Sequence, residues 1–167
     1  MHPRQRVRLA TLNATTLNRA GDIEQLAADL HRAGVSVCGV QEARLVGEGR
    51  RLLALGEGQD GDGWTLVWQG HGSEQHRGVA ALIAPAAAKA LVQVQGVSDR
   101  LMKLVFEGSI RATMLVAYAP TNRAAAADKD AFYAQLHAAL DSCPRHHLVV
   151  VLADMNAGHF CRDVAKG

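Results

Sequence analysis

Val35-Ser36-Val37-Cys38-Gly39-Val40-Gln41-Glu42 is a run of small and β-branched residues that stops abruptly at an amide and an acid. Such a run reads as a strand with little polar surface. Before it, Ile23, Leu26, Ala27 and Leu30 recur at i, i+3, i+4 and i+7, with Asp22 as the expected N-cap and Gly34 as the stop. That spacing predicts an amphipathic helix. Earlier still, Val7 to Leu12 alternates as a strand that ends at Asn13. Strand, helix, strand is a βαβ-like opening and places the chain in the α/β class.

Downstream, the polar, Gly-rich stretch from Gly47 to Gly63 reads as a long loop. Strand-like segments then follow with hardly a helix signal between them: Trp64 to Gln69, Gly78 to Ala84, Leu91 to Gln95, Leu101 to Phe106 and Ala112 to Ala119. This middle reads as mostly antiparallel sheet. A second helix is expected from Ala124 to Asp141, with Tyr133, Leu136 and Leu140 on one face and Pro144 just beyond its end. Leu148-Val149-Val150-Val151-Leu152 is a last strand, emptying into Asp154-Met155-Asn156.

Composition bounds the class. The 167 residues are 49% hydrophobic and 20% charged with a net charge of +2, which excludes a disordered tail, a disulfide mini-protein and a basic nucleic-acid coat. Alanine fills 29 positions, so the core must come from the Val, Leu and Ile runs. One domain over residues 1–167 is the expectation. Aromatics at 4% argue against a base-stacking surface. Cys38, Cys143 and Cys161 form no close pair, which points to an intracellular setting. Neither a signal peptide nor an apolar run of spanning length is present, so no membrane partner is expected. A pI near 8.6 suits a phosphate-bearing partner without demanding one.

The polar residues of interest share a position. Asn13, Glu42, Tyr118, Asp154 and Asn156 each stand at or just past the C-terminal end of an apolar strand, and such ends gather at one rim of a layered sheet protein. An oxygen-rich set of this kind suits a hard cation such as Mg²⁺, while the absence of paired Cys/His spacing disfavours zinc. Each residue also has a plainer reading. Asn13 suits a turn, Glu42 a solvated loop acid, Asp154-Met155-Asn156 an Asx turn, and Tyr118 a core aromatic. The eight histidines have no visible nucleophile or ligand partner and read as surface or locally hydrogen-bonded. No nucleophile elbow, Walker A or dinucleotide motif follows a strand.

In order along the chain, Leu9-Ala10-Thr11-Leu12-Asn13, Val40-Gln41-Glu42, Val116-Ala117-Tyr118-Ala119-Pro120-Thr121-Asn122 and Leu152-Ala153-Asp154-Met155-Asn156 resemble the endonuclease/exonuclease/phosphatase superfamily. Within it the chain is most similar to the apurinic-type endonuclease domains of non-LTR retrotransposons, a likeness shared by Arg77 to Ile83 and Val97 to Leu101. The resemblance implies a four-layer α/β sandwich, two largely antiparallel mixed sheets with outer helices. It implies Mg²⁺-dependent, or Mn²⁺-dependent, hydrolysis of DNA phosphodiesters. It places Glu42 on the metal with Asn13 beside it, Tyr118 and Asn156 on the scissile phosphate, Asp154 on the attacking water, and Asn122 and Arg100 on the substrate side. Two other outcomes stay open, a phosphatase acting on a lipid or sugar phosphate and a non-catalytic remnant.

The family pattern continues past Asp-x-Asn to a Ser-Asp-His-type tripeptide, and this sequence contains none. The expectation is therefore a domain lacking its C-terminal strands, with open sheet edges that invite association.

Overall fold

A computed structural model of the chain describes residues 6–14, 17, 21–54, 63–72 and 77–157. The opening unit is β1 (Leu9–Asn13), α1 (Asp22–Arg32) and β2 (Val37–Gln41), with β1 and β2 parallel. After β2 come β3 (Glu48–Leu53), β4 (Trp64–Gln69) and β5 (Val79–Ile83), which join it in a five-stranded mixed sheet of order β1-β2-β5-β4-β3. A single helical turn, α2 (Pro85–Ala88), leads to β6 (Leu91–Ser98), β7 (Leu101–Glu107) and β8 (Arg111–Tyr118). Helix α3 (Ala126–Asp141) then crosses to β9 (Leu148–Asp154), which pairs parallel with β8. The second sheet is therefore four-stranded, β6-β7-β8-β9.

Period-two alternation sorts the side chains into layers. Val37, Val79, Ala81 and Ile83 of the first sheet meet Met102, Leu104, Met114, Val116 and Leu152 of the second in one buried cluster. Their neighbours Cys38, Val40, Leu66, Ala80 and Leu82 face the other way and pack on Ile23, Ala27 and Leu30 of α1. On the far side, Leu101, Leu115 and Ala117 pack against Phe132, Leu136 and Ala139 of α3. Three apolar interfaces thus stack four layers: helix, sheet, sheet, helix. Because β5, β7 and β8 are covered on both faces, they read as nearly continuous apolar runs, interrupted inside by Lys103 of β7 and Thr113 of β8, rather than as alternating ones.

The two sheets lie close together at Gly39. A Cβ there would stand 2.7 Å from Leu152 Cβ and 3.3 Å from Val116 Cγ1, so only glycine lets β2 lie this near the second sheet.

Several expectations need correction. Part of the stretch read as a loop is strand β3, which escapes a hydrophobic pattern because only Leu53 of it is buried. As an edge strand it carries Glu48, Arg50 and Arg51 outward, where charge blocks further pairing. Helix α3 buries Phe132, Leu136 and Ala139 instead of Tyr133, which is 47% exposed and packs edge-on against Phe132. The cap of α1 is Gly21, with Asp22 inside the first turn, where its charge complements the helix dipole. His147, read as surface or locally hydrogen-bonded, is buried and hydrogen-bonded through Nδ1 to Thr113 Oγ1 at 3.0 Å. Cys161, His76 and His159 lie outside the described residues.

Candidate active site

Parallel pairing decides which chain ends meet. In the β1/β2 register Asn13 lies opposite Gln41, and in the β8/β9 register Tyr118 lies opposite Asp154, so each pair delivers polar residues to its own C-terminal end. Gln41 joins the two sheets beneath the rim. It is 1% exposed, its Oε1 accepts from Thr11 Oγ1 at 3.1 Å, and its Nε2 donates to the Leu152 carbonyl at 3.1 Å. A buried amide satisfied on both ends in this way fixes the lateral position of the sheets.

Above it the predicted residues converge. Asn13 Nδ2 donates to Asp154 Oδ2 at 2.7 Å and to Glu42 Oε1 at 3.2 Å, so one amide bridges two carboxylates from different sheets. Tyr118 Oη donates to the same Glu42 Oε1 at 2.9 Å. Asp154 Oδ1 accepts the Asn156 backbone N–H at 2.9 Å, closing an Asx turn, while Asn156 Nδ2 donates to the Ala119 carbonyl at 2.7 Å. The turn and the cluster are therefore compatible readings of the same residues.

Glu42, Arg44 and Asn156 have φ of 54°, 52° and 45°, and they are the non-glycine residues in the left-handed region among the described residues. Each such conformation costs on the order of 1–2 kcal/mol for a residue with a Cβ. Two of the three belong to the cluster and the third is in contact with it. The loop after β2 is held in this shape by the Ala43 N–H donating to the Gly78 carbonyl at 3.1 Å. It is further held by Gly70, where a Cβ would meet the Leu45 carbonyl oxygen at 1.8 Å.

The electrostatics follow from burial and neighbours. Burial, then the hydrogen bond and negative charge of Glu42, push the Tyr118 hydroxyl above its ordinary range, with Asn156 and Arg100 acting in the opposite direction. Tyr118 consequently stays protonated and donates. Arg100 lies over the Tyr118 ring, its guanidinium carbon 5.0 Å from the ring centroid, and its Nη1 donates to the Tyr118 carbonyl at 3.2 Å. Its pKa is lowered, first by burial and then by Arg77, against the pull of Asp99, Tyr118 and Asp128. Asn122 is not brought into the cluster. It is exposed on the loop before α3, where its carbonyl accepts from Lys129 Nζ at 2.8 Å.

Three contributors were not singled out from the sequence. Gln41 supports the rim from below, Arg44 approaches Glu42, and Arg77 pairs with Asp99 at 3.7 Å near Arg100. A signal for the first existed, an amide directly before the acid in a buried strand. The two arginines had none, since neither follows a strand end.

Among the described residues no three His, Cys, Asp or Glu side chains gather, so the rim offers two carboxylates with neutral amide and phenol groups. Among the described residues Glu42 Oε2 has a single long contact, to Arg44 Nη2 at 3.4 Å, which leaves lone pairs open toward them on that oxygen. Such a set fits Mg²⁺ or Mn²⁺, which bind through one or two carboxylates and take their remaining ligands from water and phosphate.

A sequence model of the family described as "Endonuclease/Exonuclease/phosphatase family" matches residues 7–167. The chain belongs to the endonuclease/exonuclease/phosphatase family. Among solved structures of similar fold are the AP endonuclease LMAP of Leishmania major and the APE2 catalytic domain of Xenopus laevis. The first superposes with TM-score 0.64 at 14% identity, covering 90% of this chain and 55% of its own. The second gives 0.59 at 14% identity, with 89% and 58% covered. A family protein from Leptotrichia buccalis gives 0.60 at 13% identity, with 91% and 67% covered. Craniofacial development protein 2 of Bos taurus is 23% identical over 150 residues, which are 89% of this chain and 24% of that protein. The chain thus spans about a quarter of that curated relative and just over half of the two AP endonuclease structures. Among the described residues no helix is long and apolar enough to cross a membrane.

Proposed function

We propose that this family member hydrolyses phosphodiesters in DNA with a divalent cation, Mg²⁺ or Mn²⁺, as a nicking endonuclease of the retroelement type. The observation that carries the reading is the Asn13 amide bridging Glu42 and Asp154 at 3.2 and 2.7 Å, which joins an acid from each sheet at one rim. Glu42 and Asn13 would hold the cation. When bound, the cation supplies positive charge against the negative charge that develops on the phosphate.

The chain's own groups supply the rest. Asp154, held by Asn13 and by the Asn156 N–H, orients a water and accepts its proton. Tyr118, kept protonated by burial and by Glu42, presents a hydroxyl to the phosphate. Asn156 adds a neutral amide on the same side, and its left-handed backbone sets the direction of that side chain. Arg100 and Asn122 contact the substrate away from the cleaved bond, Arg100 with positive charge packed against Tyr118.

Nicking of supercoiled plasmid tests the reading. Mg²⁺-dependent conversion to open circle, abolished by EDTA and reduced at least a hundredfold by Glu42→Gln or Asp154→Asn, is expected if these acids act together. Equal nicking by the wild type and both variants would refute it. An inositol phosphate offered in parallel separates a nuclease from a phosphatase of the same family.

A further inference from the structure

Glu42 uses its two oxygens unequally. Oε1 accepts from Asn13 at 3.2 Å and from Tyr118 at 2.9 Å, both neutral donors. Among the described residues Oε2 is met by Arg44 alone, whose Nη2 stands 3.4 Å away. The side chains of Arg44 and Glu42 are 34% and 18% exposed, so the pair is partly withdrawn from solvent. Arg44 is also held at a cost, since its φ is 52° and its Nε is buried without an acceptor. A long, one-point contact from a guanidinium that could make a bidentate one is a loose neutralisation of the oxygen rather than a tight ion pair.

We propose that Arg44 is a positioning residue that sets the divalent-cation affinity of Glu42, competing with the cation for Oε2 and keeping it exchangeable. This rests on the cation-site reading given under Proposed function. The physical ground is repulsion. A guanidinium and a dication drawn to the same carboxylate oxygen stand within about 5 Å of each other, enough in a water-like dielectric to weaken cation binding roughly tenfold. Tyr118 and Asn13, being uncharged, hold Oε1 without opposing the cation. The carboxylate is therefore oriented from one oxygen and tuned from the other.

The test is a Mn²⁺ titration of the 167-residue chain, reading free Mn²⁺ by electron paramagnetic resonance, with circular dichroism on each variant. Arg44→Gln should bind Mn²⁺ roughly tenfold more tightly than wild type, and Arg44→Lys should remain within about threefold of wild type, because it keeps the charge. A residue that merely supports the loop would, when replaced, loosen binding or leave it alone. Unchanged or weaker binding by a folded Arg44→Gln variant overturns the proposal. If wild type binds Mn²⁺ and Glu42→Gln abolishes it while Arg44→Gln changes nothing, only the role of Arg44 fails. If wild type shows no saturable binding at all, the cation-site reading fails and the proposal with it.

Discussion

Asn13→Asp should turn the bridge between the two carboxylates into a third negative charge. The amide now donates to Asp154 Oδ2 at 2.7 Å and to Glu42 Oε1 at 3.2 Å. A carboxylate oxygen in the same place would lose both bonds and meet two like charges at those distances. Asn13 is exposed, so a water-like dielectric applies, and each repulsion is worth about 1.4 kcal/mol. Separations this short lie well inside the Debye length, so salt screens them little. Relaxation of the new side chain returns part of the cost, while the lost hydrogen bonds add to it. We expect a net loss of about 2–3 kcal/mol at pH 7, or roughly 4–12 °C in Tm for a chain of this size.

The pH dependence has a definite sign. In the folded variant the carboxyl introduced at position 13, set between two like charges, is raised above its unfolded value near 4. Its contribution is then fully present below that value and is lost as pH rises through the folded one. The deficit relative to wild type should accordingly be largest at pH 7 and shrink as pH falls toward 4. Urea unfolding at pH 4, 5, 6 and 7 measures it. A variant as stable as wild type at pH 7, or a deficit that does not change with pH, would refute the bridged arrangement.

Gly39→Ala should destabilise by about 1–3 kcal/mol, because its Cβ would stand 2.7 Å from Leu152 Cβ, and chemical denaturation of the variant alone and combined with Leu152→Ala would show partial relief in the double change. Phe132→Ala should cost about 3–5 kcal/mol by emptying the contact that holds α3 on the second sheet, readable as a lowered denaturation midpoint with intact secondary structure below it. Burial pushes the Cys38 thiol up to about 11, above its usual 9.0. Its contribution is present below pH 9 and is lost as pH rises toward 11, so wild type should lose on the order of 2–3 kcal/mol across that window. Cys38→Ala should lack this component of the alkaline decline when the two are compared by denaturation at pH 8 and pH 11.

Much of the layer structure was legible in the chain, because burial leaves a periodic trace. The period of α1 and the apolar runs of β5, β7 and β8 each identify an element whose faces are covered by others. Where burial is slight the trace vanishes, which is why Glu48–Leu53 looked like loop and why the buried face of α3 was misassigned. In that helix, alanines and aromatics lie on both faces, so periodicity alone does not choose between Phe132 and Tyr133.

The candidate site divides along the same line. Placement of Asn13, Glu42, Tyr118, Asp154 and Asn156 at strand ends follows from local pattern, and their order along the chain carries the family likeness. What local pattern does not contain is the distance between strand ends 141 residues apart. That separation is set by two parallel pairings, by the close approach at Gly39 and by Gln41 joining the sheets beneath the rim. Likewise the left-handed backbone at Glu42 and Arg44 has no sequence signal, since neither is glycine or asparagine and the strain is sustained by surrounding contacts, whereas Asn156 is a residue type that tolerates it. Which residues stand at strand ends, and which face the core in α1 and the central strands, are local choices, because they depend on neighbours two to four residues away. The tertiary structure alone decided that an amide from the first strand meets carboxylates of both sheets, because that contact depends on how the sheets pack.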